Sequence, residues 1–359
     1  MQKDTYKICF NSPGFLGDAE QQSSWRTPPF KALLQHWWRV AVAEQYDYKW
    51  EKVREAEGRL FGHAWLDNGK WAMRSRVRLN LTHQNAGSLR TWENSPLIDR
   101  VTHTEVKDKN TGKLRPMAPE TYLAYGPLHF NNGLVNPPAI NADEENQLTL
   151  IYPKSEQAVL WQSLQFIQWF GTLGGRSRNG WGSINLQGSD IKSELELSTL
   201  QSFSRPLAEC LQLEWPHAIG SDEQGLLIWK TPERDSWRLV MKDLAQTKIK
   251  FRTDLAFPLA IPNGFQQRHL LAYPVTHHRV NAWVGNDRLA NQLRFKIART
   301  EKGFVGIIVH LPCAMPNQMS NKLGNNAPSI EQQIKIWQSV HKSLISLNDQ
   351  GLEIKRINP

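Results

Sequence analysis

GTLGGRSRNGWGS occupies residues 171–183, after SEQAVLWQSLQFIQWF at 155–170 and before a strand-like stretch around 181–187. In the run that precedes it, Leu160, Leu164 and Ile167 recur at helical spacing, so a strongly apolar helix leads into the loop. The loop holds five glycines, two arginines, an asparagine, two serines and a tryptophan. Glycine permits positive φ and a close approach of backbone N–H groups to a ligand. Successive N–H groups in such a loop make an anion-binding concavity. Arg176 and Arg178 add charge-assisted bonds to phosphate, and Trp181 either stacks on a base or packs beneath the loop. No GK[ST] ends the loop, and it follows a helix rather than a strand, which disfavours both a Walker loop and a dinucleotide fingerprint. The competing reading is a flexible connector. The two arginines and the buried helix before them favour the anion site.

Outward from the loop, TYKICF (5–10) and QLTLIYP (147–153) read as strands. A helix is expected after Thr27 as N-cap and Pro28 as first helical residue, with Phe30, Leu33, Leu34, Trp37, Trp38 and Ala41 in one apolar stripe. A second helical stretch runs to a stop at Gly62. WAMRSRVRLNLT (71–82) alternates, with Met73, Val77 and Leu79 on one side and Arg74, Arg76, Arg78 and Asn80 on the other. A strand would space these arginines about 6–7 Å apart, suited either to successive phosphates of a single strand or to plain solvation. EVKDKNTGKLRPMAPE (105–120) reads as a hairpin tip turning at Asn110, Thr111 and Gly112. LRFKIA (293–298) and FVGIIVHLP (304–312) read as strands, the last helix starts at Ser329 with a capping-box Gln332, and a final strand is expected at 352–355. Basic residues cluster in KDLAQTKIKFR (242–252).

The order in each half is strand, helix, strands, helix, strand. That fits an α+β fold of ferredoxin-like (RRM-like) domains, with antiparallel sheets and a glycine-rich loop between helix and strand. We expect two domains, 1–190 with the glycine-rich loop and 191–359, a second, more diverged α+β domain. Proteins of this architecture often hold single-stranded RNA on the open sheet face.

Lys and Arg number 43 against 34 Asp and Glu, a net charge of +9 that favours a polyanionic partner. Most of the fifteen tryptophans are expected in the core, with base stacking as the alternative. Cys9, Cys210 and Cys313 form no CxxC pair and the histidines no HExxH, so neither metal nor cofactor is expected. No run approaches the roughly 18 apolar residues of a membrane span, and the start lacks a signal-peptide core, so a cytoplasmic protein without membrane contact is expected.

A glycine-rich loop of the form GGxxxRxRxGxGS between helix and strand is similar to the signature loop of the RAMP superfamily (repeat-associated mysterious proteins). SPGFLGDAEQQSSWRTPPFKALLQHWWRV (12–40) followed by EAEGRLFG (55–62), and then YLAYGPL (122–128), resemble the first-subunit family of the Cmr complex, the type III-B CRISPR effector. The chain departs from that pattern in opening with Ser-Pro-Gly-Phe-Leu-Gly and in carrying His36 before the Trp pair. Beyond residue 190 the likeness rests on RLANQLRFKI (288–297) and the LPC strand.

The resemblance implies a non-catalytic subunit that binds guide (cr)RNA, caps the effector filament and helps position target RNA or DNA beside other RAMP subunits. By carry-over Gly174, Gly175, Arg176, Arg178, Asn179, Gly180 and Trp181 would line the RNA, with Arg74, Arg76, Arg78, Arg39 and Arg26 as further basic contacts. A RAMP subunit of a minimal type I-F Cascade, holding the 5′ handle and reading the motif that flanks the target, remains an alternative. So do a guide-RNA-processing endoribonuclease, using a His with Tyr or Lys as base and acid, and an RNA-binding module outside CRISPR. His36, His63, His83, His103 and His129 are available to the former, none in a diagnostic motif.

Overall fold

Tyr6, Ile8 and Phe10 are buried while Lys3, Thr5 and Lys7 are exposed, the period-two pattern of a strand with one face on a core. This is β1 (Gln2–Phe10). In the computed structural model, which describes every residue except 67–70, 109, 256–263, 276–277, 286 and 358–359, β1 is central in a four-stranded antiparallel sheet. Helices α1 (Thr27–Val42) and α2 (Trp50–Phe61) follow it, then β2 (Arg78–Leu81). A hairpin, β3 (Val101–Lys107) with β4 (Leu114–Met117), and α3 (Pro119–Ala124) are inserted before β5 (Glu145–Tyr152). Then come α4 (Gln157–Phe170) and β6 (Ile184–Gln187). The sheet order is β6-β1-β5-β2, with Lys7 opposite both Gln187 and Gln147.

The second sheet repeats this plan. It comprises β7 (Ile228–Lys230), α5 (Trp237–Asp254), β8 (Leu293–Arg299), β9 (Phe304–His310), α6 (Ile330–Ile345) and β10 (Lys355–Arg356), with strand order β8-β9-β7-β10. Numbered by appearance, both sheets read 4-1-3-2, the ferredoxin-like arrangement, each with helices between its first and second and its third and fourth strands. The α+β expectation with antiparallel sheets is therefore what the chain adopts.

One face of the second sheet, through Val305, Ile307 and Val309, joins the apolar cluster of α1, α4 and the first sheet. The other face, through Phe295, Ile297 and Ile308, joins the cluster of α5 and α6. Helix α4 thus has apolar neighbours on both sides, which explains why Phe166, Trp169 and Phe170 are buried as well as Leu160, Leu164 and Ile167. Lys296 of β8 donates to the carbonyls of Ile167, at 3.0 Å, and Gln168, satisfying the end of α4 from the other unit.

The glycine-rich loop is the seam between the two units. The Phe295 N–H donates to the Arg178 carbonyl at 3.1 Å, and the Ile297 N–H to Ser183 Oγ at 2.8 Å. Asn11 Nδ2 donates to the Ile297 carbonyl at 2.9 Å, and Ser12 Oγ to the Gly180 carbonyl at 2.7 Å. Beneath the loop, the fully buried Trp181 meets Phe15 at 4.9 Å, Trp92 at 5.4 Å and Trp237 at 6.2 Å between ring centroids, so three separate segments converge on it. A Cβ at Gly182, where φ is +62°, would stand 1.9 Å from the Leu173 carbonyl oxygen, so no other residue fits there.

Two local expectations need correction. The cap of α1 is Arg26, not Thr27, and no side chain caps it; the hydroxyl of Thr27 already lies inside the first turn. The stretch 71–82 is not one strand. It breaks after Met73 and resumes at Arg78, because the Arg76 N–H turns to the Leu60 carbonyl and Ser75 Oγ to the Val77 carbonyl. Arg74 and Arg76 therefore lie off the strand, and Met73 is 36 % exposed rather than packed with Val77. The segment 191–226 splits between the two cores, with Ile219 and Leu226 in the first cluster and Leu207 and Leu211 in the second. Among the described residues no helix is long and apolar enough to cross a membrane.

Trp181→Ala should cost about 3–5 kcal/mol, the range for a large aromatic deleted from a core, measured by urea unfolding; a loss under about 1 kcal/mol would contradict its place at the seam. Acid should also destabilise the protein. Burial pushes His341 down to about 3, and His310, whose Nδ1 lies 3.0 Å from His341 Nε2, well below its usual value. Both are neutral when folded, whereas the unfolded chain takes up protons below about pH 6.5. Stability is complete above that pH and falls towards pH 3 by as much as about 1.4 kcal/mol per unit per histidine. His341→Gln should flatten the melting temperature between pH 6.5 and 4.

Candidate nucleic-acid interface

The inserted segment between β2 and β5 does not stay with its own sheet. Lys242 pairs with Asp99 at 3.0 Å and Arg238 with the buried Glu120 at 2.9 Å, which fasten the insertion to α5. Arg268, 4 % exposed, makes a two-pronged bond to Glu105 of β3 at 2.7 and 2.8 Å and also donates to the Leu255 carbonyl. That guanidinium, with a hydrogen bond as the leading cause, holds the Glu105 carboxyl below the usual range.

Between the hairpin, α3, the glycine-rich loop and α5 this leaves a cleft of about 950 Å³. Among the described residues seven cationic side chains line it, Arg100, Arg115, Arg176, Arg178, Lys248, Arg252 and Arg268, and no Asp or Glu does. Among the described residues only Arg268 of these seven has a carboxylate within ion-pair distance. Lys248 Nζ instead donates to Asn179 Oδ1 at 2.9 Å, and Asn179 Nδ2 to the Leu123 carbonyl at 2.7 Å. Arg178 donates to the Asn291 carbonyl at 3.1 Å. Burial, and then the charges of Arg252 and Arg176, push the Lys248 amine well below its ordinary pKa. His103, at one wall, is lowered by burial, with Arg252 and Arg268 acting in the same sense against Glu105. So many like charges in one concavity focus a positive field that an anion relieves.

Of the residues singled out from the sequence, Arg176, Arg178 and Asn179 line this cleft. Gly174 and Gly175 lie exposed on the loop, and Gly180 and Trp181 are buried under it. Trp181 takes the second of its two readings, packing rather than stacking on a ligand. The loop N–H groups of Gly175, Asn179, Gly180 and Gly182 donate to protein carbonyls, so much of the expected anion concavity is already occupied internally. Arg26 ties down the preceding loop through the Leu16 carbonyl at 3.3 Å and that of Gly17. Arg39 clamps Glu57 of α2 at 2.5 and 2.7 Å. Arg74, Arg76 and Arg78 are exposed and not part of the cleft, and among the described residues none has an ion-pair partner. Sequence reasoning missed Arg100 and Arg268, which no motif marks. Lys248 and Arg252 had a signal, since they stand four apart in a basic helical run and so share a face. Among the described residues no three His, Cys, Asp or Glu side chains gather as a metal site would need.

The family model of the RAMP superfamily matches residues 30–185, which include α1, the first sheet's later strands and the glycine-rich loop. This segment is similar to the RAMP superfamily. No curated protein matches the chain. Among solved structures, Cmr1 from Pyrococcus furiosus in its apo form is 14 % identical, with 91 % of this chain and 98 % of that one covered at a TM-score of 0.48. A chain of the type III-B Cmr-beta complex bound to cognate target RNA is 10 % identical, covering 94 % and 99 % at 0.44. A chain of a type IV-B CRISPR complex is 14 % identical, covering 54 % and 94 % at 0.29.

If the cleft is an anion site, tens of millimolar inorganic phosphate should raise the melting temperature of the wild type more than that of Arg176→Ala/Arg252→Ala, read by scanning fluorimetry. Equal shifts would contradict it.

Proposed function

We propose that this chain is a non-catalytic, RNA-binding subunit of a CRISPR effector complex, which holds guide RNA by its phosphates and closes one end of the effector filament. The observation that carries the reading is the cleft, with seven cations and a single carboxylate partner among the described residues, built on a segment similar to the RAMP superfamily. In this account phosphate contacts fix register and orientation, while guide–target pairing supplies the choice of sequence. The partners are guide RNA, target RNA or DNA, and neighbouring RAMP subunits. Capping of the distal end and holding of the 5′ handle, as in a reduced type I-F Cascade, differ in which end of the guide is protected.

Cleavage of precursor guide RNA has one observation in its favour. His103 lines the cleft with Tyr122, 5.9 Å away between ring centroids, and with Lys248. Against it, the lowered pKa of His103 makes it a weak base, and its Nδ1 already accepts from the Glu105 N–H at 3.1 Å.

Arg176→Ala with Arg252→Ala should weaken single-stranded RNA binding and make the slope of log K against log salt shallower by about 1.4, two phosphates' worth at about 0.7 each. An unchanged slope would remove these residues from the interface. Incubation with end-labelled precursor RNA in EDTA should leave it intact. Specific cutting that His103→Ala abolishes would replace the binding reading with the processing one.

A further inference from the structure

At the rim of the cleft the chain after α3 folds into a small hairpin, Leu128–His129 against Gly133–Leu134. Three aromatic rings stand on it. Tyr125 and His129 are stacked, 5.4 Å apart at 25°, and Phe130 lies 6.1 Å from Tyr125 at 35°. Tyr125 is 49 % exposed and Phe130 37 %. The hairpin is firmly seated: the Val135 N–H donates to the Pro127 carbonyl at 3.0 Å, and Gly175 of the glycine-rich loop lies against Pro127. Gly126, at φ +116°, sits between Tyr125 and this seat, and a Cβ there would come within 3.3 Å of an Arg176 guanidinium nitrogen. Tyr125, Phe130 and Arg176 all line the same cleft.

We propose that Tyr125, His129 and Phe130 form a stacking platform for an unpaired nucleobase, beside Arg176, so that nucleic acid enters the cleft as a single strand. The proposal rests on the RNA-binding reading above and adds the form of the ligand. Solvent-facing aromatic rings, two of them stacked and the third tilted beside them, offer a π-face to a base, and the adjoining cations match its phosphates; single-strand binding sites combine these two elements. A paired helix hides its base faces within the stack, and its shape is read through phosphate and 2′-hydroxyl contacts instead. An acidic protein partner would answer the cations but would leave the rings without a counterpart.

The test uses the full chain, a 20-nucleotide single-stranded RNA carrying 2-aminopurine at successive positions, the same RNA with an abasic site at each of those positions, and the matching duplex. Binding should quench 2-aminopurine at one position, and the duplex should bind more weakly than the single strand. Tyr125→Ala should lower affinity for the intact RNA by roughly five- to 150-fold, the span of one base stack. It should leave affinity for RNA abasic at the quenched position unchanged, while Tyr125→Phe should behave as wild type. Salt-dependent binding with no quenching at any position and no effect of Tyr125→Ala would overturn the platform and leave the RNA-binding reading standing. Equal affinity for duplex, or a lost partner-subunit contact in Tyr125→Ala with unchanged RNA affinity, would also overturn it. No binding of any RNA by the wild type would remove both readings.

Discussion

The hydrogen bonds between the glycine-rich loop and β8 hold the rest of the molecule in place. The loop carbonyl of Arg178 and the hydroxyl of Ser183 take the N–H groups of Phe295 and Ile297, which as edge-strand donors would otherwise need water or a partner. Two ferredoxin-like units are thereby joined edge to loop, with Trp181 as the apolar plug below the joint. Because the seam is made of backbone groups and one buried indole, it fixes geometry more than charge. The arginines of the loop are left on its outer side.

The cleft is a consequence of that joint. With β8 and α5 fixed against the loop, the insertion between β2 and β5 lies across α5, held by the ion pairs of Asp99 and Glu120 with that helix and of Glu105 with Arg268. These carboxylates serve the scaffold. Two of the cations that remain in the cleft have neutral partners, Asn179 for Lys248 and a backbone carbonyl for Arg178. A half-buried cation facing others without an acid raises the energy of the free protein, and a polyphosphate lowers it. That difference is a source of affinity set by the fold and indifferent to base sequence.

Much of the fold was legible from pattern alone. Short strand-like runs marked β1, β5, β8 and β9, the three- and four-residue stripe marked α1, and the Ser329–Gln332 capping box marked the start of α6. These depend on residues near one another in the chain. The break at 74–77 was not legible, since it depends on the Leu60 carbonyl drawing off an N–H from a distant segment. The site was legible in part for the same reason. Arg176, Arg178 and Asn179 announce themselves within one loop, whereas Arg39 reads as a free basic residue until Glu57 is seen opposite it. The cleft combines residues from 94 to 291, and no local rule assembles them.

In the proposed function nucleic acid lies in the cleft between the units rather than on the open face of the first sheet, where Lys3, Lys7 and Arg78 offer the alternative basic surface. Photo-crosslinking of the full chain to single-stranded RNA, with the attached peptides identified by mass spectrometry, separates the two most directly. The account predicts crosslinks within residues 100–130, 174–180 and 248–252. Crosslinks confined to residues 1–10 and 74–82 would contradict it.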